Sequence, residues 1–180
     1  MKLLWLISFL IPFNLVAQNF PVDAASGKIY YAEEVLVKDG PKSDLYNRAK
    51  RWFASAGKSK KALKIDDPAN GILVGRQYSL LSVYNGGKNQ NFMLWYTVKL
   101  ELEDDRYWYS ISDLGLQKAH LPKEVVSEAN QKSVLPLETL VLSKDAVDLK
   151  GKEKPLNYSI KEAAHKSILA LIKDIKANML

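Results

Sequence analysis

The sequence predicts an α+β domain: an antiparallel five-stranded sheet with two helices packed on one face. Three observations predict it. Side chains alternate between apolar and polar from Asn89 to Leu114, the period-2 mark of half-buried strands. Two other segments, around Leu45–Ala56 and Ile160–Met179, repeat their apolar residues at helical spacing. In chain order the elements run strand, helix, four strands, helix, so one sheet and one helical layer can enclose a single core.

The first 17 residues stand apart from that domain. Lys2 gives a short positive start, Leu3 to Val16 is apolar, and Ala17 is small, which together read as a secretory signal peptide cut between Ala17 and Gln18. An uncleaved membrane anchor is the alternative. The apolar run falls short of the roughly 20 residues a spanning helix needs, and Pro12 and Asn14 interrupt it. Residues 18–180 then form one domain, with a long irregular segment over 114–157. A hydrophobic content of 47% in 180 residues is enough for its own core and argues against disorder. There is no cysteine, which excludes disulfides, thiol catalysis, thiolate metal sites and a lipidated N-terminal Cys. An exported chain without disulfides fits a bacterial envelope better than a small extracellular scaffold. The formal charge of +6 allows attraction to anionic surfaces without demanding it.

Lys28–Val37, rich in β-branched and aromatic residues, reads as the first strand, ended by the turn chemistry of Lys38-Asp39-Gly40-Pro41. Ser43 reads as the N-cap of the first helix, with Asp44 in its first turn. Leu45, Ala49, Trp52, Phe53 and Ala56 form its apolar stripe and Gly57 closes it. Gly57-Lys58-Ser59 imitates the end of a phosphate-binding loop, but the required earlier Gly is Trp52, inside a helix. Lys61–Ile65 is a short strand. Asn70-Gly71 turns it into a strand over Ile72–Tyr84, and Asn85-Gly86-Gly87 turns that into the long hairpin, giving a four-stranded meander over Lys61–Asp113.

The hairpin fixes its own register. With Asp104-Asp105 as a two-residue turn, Glu103 faces Arg106, Leu102 faces Tyr107, Leu100 faces Tyr109 and Val98 faces Ile111. Each pair matches like with like, or opposite charges, and a one-residue slip would set the tyrosines against charges. A type I′ turn would need positive φ at both aspartates. Beyond it, Lys123–Gln131 reads as a short helix, Leu135–Leu142 as an apolar stretch docked on the core, and Lys150–Pro155 as an exposed loop. A connection of this length usually covers or binds something. Ser159 and Glu162 read as a capping box for the last helix, whose stripe is Ile160, Ala164, Ile168, Leu171, Ile172, Ile175 and Met179. A membrane-surface helix would show a similar stripe; packing on the sheet is the preferred reading.

Three local texts resemble one family: Gly27-Lys28-Ile29-Tyr30-Tyr31, the helix Leu45-Tyr46-Asn47-Arg48-Ala49-Lys50-Arg51-Trp52-Phe53, and the turn Asp104-Asp105-Arg106-Tyr107. Together with the element order they resemble DUF4468, a domain family of unknown function with a TATA-binding-protein-like (TBP-like) fold, found in exported proteins of Bacteroidota. The resemblance covers roughly Phe20 to Asp113. Asp105 stands where the family usually has Gly, which bears on the turn geometry and not on the hairpin. The resemblance implies the fold and an exported setting; it brings no catalytic residues, and the fold name implies no nucleic-acid partner.

No constellation for catalysis is visible. The two histidines, His120 and His165, share no metal-binding spacing and read as surface or boundary residues. Glu101, Glu103, Asp104 and Asp105 lack the spacing of a Ca²⁺ loop and read as a solvated tip that discourages edge pairing. No cofactor or metal is expected. The candidate binding residues are Met93, Trp95 and Trp108, which share the sheet face turned away from the helices. If the 114–157 segment leaves that face open, the domain is a non-enzymatic envelope binding module for another protein, its own copy or an envelope ligand. The alternative is an anionic-surface binder using Arg48, Lys50, Arg51, Lys58, Lys60, Lys61 and Lys64, whose binding would weaken with salt. A hydrolase of unrecognised type is the third reading.

Overall fold

The computed structural model describes residues 20–56, 63–119, 134–142 and 155–180. The proposed signal peptide, Gly57, His120, the Lys123–Gln131 helix and most of the Lys150–Pro155 loop lie outside the described residues. Strand β1 (Tyr31–Leu36) leads into helix α1 (Lys42–Ala56). Then come β2 (Leu63–Asp67), β3 (Ile72–Asn85), β4 (Lys88–Glu103) and β5 (Arg106–Lys118). A two-residue strand β6 (Leu135–Pro136) and a short helix α2 (Leu137–Val141) precede the long helix α3 (Pro155–Met179). The five main strands lie in the order β1-β5-β4-β3-β2, all antiparallel, and β6 joins the outer edge of β5 as a short sixth strand.

The register of the β4–β5 hairpin is the one its side chains dictate: Glu103↔Arg106, Leu102↔Tyr107, Leu100↔Tyr109 and Val98↔Ile111. One face of the sheet carries Leu73, Leu81, Leu94, Val98, Leu100, Tyr107 and Ile111, all buried beneath α1 and α3. The stripes of both helices meet that face: Leu45, Ala49, Trp52 and Phe53 from α1, Ile160, Ala164, Ile168, Ile175 and Met179 from α3. Leu137 and Val141 of α2 join the same core, so the Leu135–Leu142 stretch does dock as its composition suggests. The hairpin continues to Lys118, past Leu114, because a bulge opposite Tyr96 lets the pairing resume at Trp95↔Gly115. Asp113, beside the bulge, has φ 51°.

Three local expectations change. The Asp104-Asp105 turn has one left-handed residue, Asp105 at φ 63°, so it is not type I′. Ser43 does not cap α1; the helix begins one residue earlier, and the Asp104 carboxylate accepts from Lys42 N–H at 2.7 Å across the sheet end. Asp105 likewise accepts from Gly40 N–H at 2.9 Å and its carbonyl accepts from Val37 N–H at 2.8 Å. The acidic tip therefore fastens the β1–α1 connection instead of standing free in solvent. Ser159 does not cap α3, which starts a turn earlier at Pro155, and its hydroxyl bonds back to the Pro155 carbonyl at 3.1 Å.

Candidate functional site

Strand pairing puts Met93, Trp95 and Trp108 on the helix-free face, as the alternation requires. It does not bring them together. Trp108 pairs with Glu101 and Trp95 with Gly115, so the two indoles are separated by six residues of β4, roughly 20 Å. They also differ in exposure. Met93 and Trp95 are buried, at 8% and 6% exposure, while Trp108 is half-buried. The face is thus closed around Met93 and Trp95 and open toward the hairpin tip, while Leu80 and Tyr84 beyond Trp95 on the neighbouring β3 are exposed again, which corrects the expectation of a single Met93–Trp95–Trp108 patch.

Physical neighbours explain the difference. Trp95 lies between Tyr78, whose ring centroid is 5.0 Å away, and Gln117, whose side-chain oxygen accepts the indole N–H at 2.9 Å. The Arg76 guanidinium sits 5.8 Å from its ring centroid, within cation–π range. Gly115 across the strand has no side chain, and Val134 fills that place: a Cβ on Gly115 would meet Val134 Cγ1 at 2.4 Å. A glycine inside a strand is the one sequence signal that could have announced this close approach.

Toward the tip the outer face is a row of Glu34, Trp108, Glu101, Ile72 and Asp67, and beside it Ala32, Ser110, Lys99, Val74 and Ile65. Arg106 covers one side of Trp108, with its guanidinium carbon 5.1 Å from the ring centroid. Arg106 is itself held by Glu103 at 3.0 Å and Glu34 at 3.4 Å, which push its pKa further up. Lys99 and Glu101 pair at 2.9 Å. Between and around these charges Ile72 and Val74 are half-buried, Ile65 is 48% exposed and Leu36 is 75% exposed.

The described members of the basic set are partly engaged within the chain. Arg48 pairs with Asp44 at 2.6 Å and donates to the Met179 carbonyl at 3.1 Å and to the Leu180 carbonyl, tying α1 to the end of α3. Lys50 pairs with Asp66 at 2.7 Å, and the same carboxylate accepts from the Tyr46 hydroxyl. Arg51 is exposed. Lys64 is exposed and engaged. Lys58, Lys60 and Lys61 lie outside the described residues.

On the helix-bearing side His165 is half-buried, with Nδ1 2.8 Å from the Tyr31 hydroxyl and the Phe20 ring edge-on at 5.6 Å. Burial lowers the His165 pKa and raises that of Tyr31. Glu33 accepts from Lys176 at 2.7 Å and from Tyr109 at 2.7 Å, joining β1, β5 and α3. Among the described residues no group of acids and histidines is arranged to hold a metal ion, and no helix is long and apolar enough to cross a membrane.

Two solved structures share this architecture. A DUF4468 family protein from Bacteroides ovatus ATCC 8483 superposes with a TM-score of 0.64 at 10% identity, over 88% of this chain and 90% of that one. A TBP-like protein from Parabacteroides distasonis ATCC 8503 gives 0.59 at 18% identity, over 88% and 96%. At these identities the likeness is one of fold. No curated protein matches the sequence. The family model of DUF4468, described as a domain of unknown function with TBP-like fold, matches residues 31–117, the span from β1 through the end of the long hairpin. Over that span the chain belongs to the DUF4468 family.

Proposed function

We propose that this chain is an exported, non-enzymatic binding module of the bacterial envelope that receives a protein partner on the tip half of its helix-free sheet face. The observation that carries the reading is the half-exposed Trp108, set on rigid paired strands among Ile72, Val74, Ile65 and Leu36. Aromatic and aliphatic side chains grouped on an exposed face are characteristic of contact surfaces. The interleaved charges, Glu34, Arg106, Lys99 and Glu101, would orient a partner more than hold it. Export is supported by the Lys2, Leu3–Val16 and Ala17 pattern. A bacterial setting is supported by the Bacteroides and Parabacteroides structures of like fold.

The test places a photo-cross-linking residue at position 108 and, as a control, at Lys173 on the exposed side of α3. Discrete adducts in an envelope fraction should form from position 108 only. A Trp108→Ala chain with an unchanged melting temperature should lose the partner in co-purification. Equal adducts from both positions, or none, would defeat the reading. Salt-sensitive binding to anionic vesicles that survives Trp108→Ala would instead favour the basic surface. That alternative has the weaker support, because Arg48 and Lys50 are already ion-paired.

A further inference from the structure

The closed end of the outer face contains a cavity of about 340 Å³. Its walls include Leu114, Gly115, Val134 and Pro136, and Arg76 projects into it from β3. Arg76 is the unusual member. Its side chain is half-buried and its Nε is shut off from solvent with no hydrogen-bond partner. Among the described residues its one recorded interaction is the Trp95 ring. A buried Nε–H without an acceptor is costly, and such groups call for an explanation.

The remaining charges of the cavity make contacts of their own. Lys28 and Asp113 face each other at 3.7 Å, and Glu138 accepts the Ile29 backbone N–H at 3.0 Å. None of these three bonds Arg76, so among the described residues its guanidinium has no acceptor and is free to take an anion from outside the chain. The fork of a guanidinium accepts a planar oxyanion through two parallel hydrogen bonds. Two carboxylates in the lining, Asp113 and Glu138, disfavour a doubly charged phosphate and tolerate a single negative charge. The apolar walls and the volume, at the small end of ligand pockets, suit a compact apolar body.

We propose that this cavity is a binding site for a small monocarboxylate, with Arg76 clamping the carboxylate and Trp95 fixing the guanidinium from below. The site is separate from the Trp108 surface, so either can fail while the other stands.

Benzoate is the probe, benzamide its neutral isostere, and inorganic phosphate the competing anion. Binding is followed by the indole N–H resonances of the folded chain, assigned with Trp95→Phe and Trp108→Ala. Benzoate should shift the Trp95 signal saturably, leave the Trp108 signal in place, and raise the melting temperature. Arg76→Gln should weaken benzoate about tenfold or more, while the variant without ligand melts no lower than the parent. That combination separates a ligand clamp from a structural arginine, whose loss would lower the melting temperature. Trp108→Ala should bind benzoate normally. Equal response to benzamide, unchanged affinity in Arg76→Gln, phosphate binding tighter than benzoate, or no saturable shift at millimolar benzoate would each overturn the assignment.

Discussion

The two ends of the β4–β5 hairpin carry the same residue type on the same face to opposite ends. Trp95 and Trp108 both point away from the helices. At Trp95 the neighbours are Tyr78, Gln117 and a glycine whose place Val134 takes, and the indole is sealed. At Trp108 the cross-strand neighbours are Glu101 and Glu34, whose carboxylates seek water, and the indole stays half-open. Alternation therefore decides which way a side chain points. What lies over it is decided by cross-strand partners and by segments distant in the chain.

Truncating the two tryptophans gives the largest expected contrast. Trp95→Ala removes a buried ring and leaves Gln117 short of its donor, a loss of about 3–5 kcal/mol. Trp108→Ala should cost under about 1 kcal/mol, mostly its contact with Arg106. Urea denaturation of both variants measures the gap. Equal losses would mean that the two ends are covered alike.

Gly115→Ala sharpens the same comparison from the covering side. The new methyl would collide with Val134 Cγ1, so either Val134 lifts off or the strand bends. The expected cost is about 1–3 kcal/mol. A Val134→Ala substitution in the same chain should restore part of it, by making room. An unaltered midpoint for Gly115→Ala would show that Val134 is not seated there.

Much of the fold could be read from the residues, and the pattern of misses is physical. The hairpin register was legible because turn length and alternation fix it together, and three apolar pairs on one face with the Glu103–Arg106 charge pair at the tip leave no competing slip. The two helical stripes were legible because burial follows period, and the docking of Leu137 and Val141 because their stretch is apolar. The strand beyond Asp113 was not, because a bulge breaks the phase of the alternation there. Ser43 and Ser159 carry the local marks of helix caps, yet α1 takes its cap from Asp104, 62 residues away. Met93, Trp95 and Trp108 share a face without sharing a patch, because alternation sets the side of the sheet and not the distance of six residues of β4 between the indoles. Arg76 carries no local mark at all; its significance appears only once Trp95 and Val134 enclose it.

The tip end also differs from the far end in what it supports. Asp104 caps α1 from another element, so Asp104→Ala should cost about 1 kcal/mol although the residue is at an exposed turn. Asp104→Asn keeps an acceptor and should cost less. Thermal unfolding of the pair distinguishes a cap from a merely solvated acid, for which both changes would be neutral.

The smallest expected effect separates two groups on the helix-bearing side of the sheet through pH. Burial holds His165 below the ordinary histidine value of 6.5, where its neutral ring pairs with the Tyr31 hydroxyl. Below pH 6.5 the unfolded chain then binds more protons than the folded one, so stability falls as pH drops through the interval beneath that value. Glu33 acts in a lower window. Its hydrogen bonds from Lys176 and then Tyr109 hold it below the ordinary glutamate value of 4.5. Its contribution is therefore complete above that value and lost as pH falls through the folded one. His165→Gln should flatten the decline between about pH 7 and pH 5 and leave the acid limb in place, whereas Glu33→Gln should do the reverse. Urea midpoints from about pH 7 down through the acid limb below pH 4.5 for the two variants and the parent test the separation. A decline between pH 7 and pH 5 that persists in His165→Gln would place its origin in other groups and remove His165 from the account.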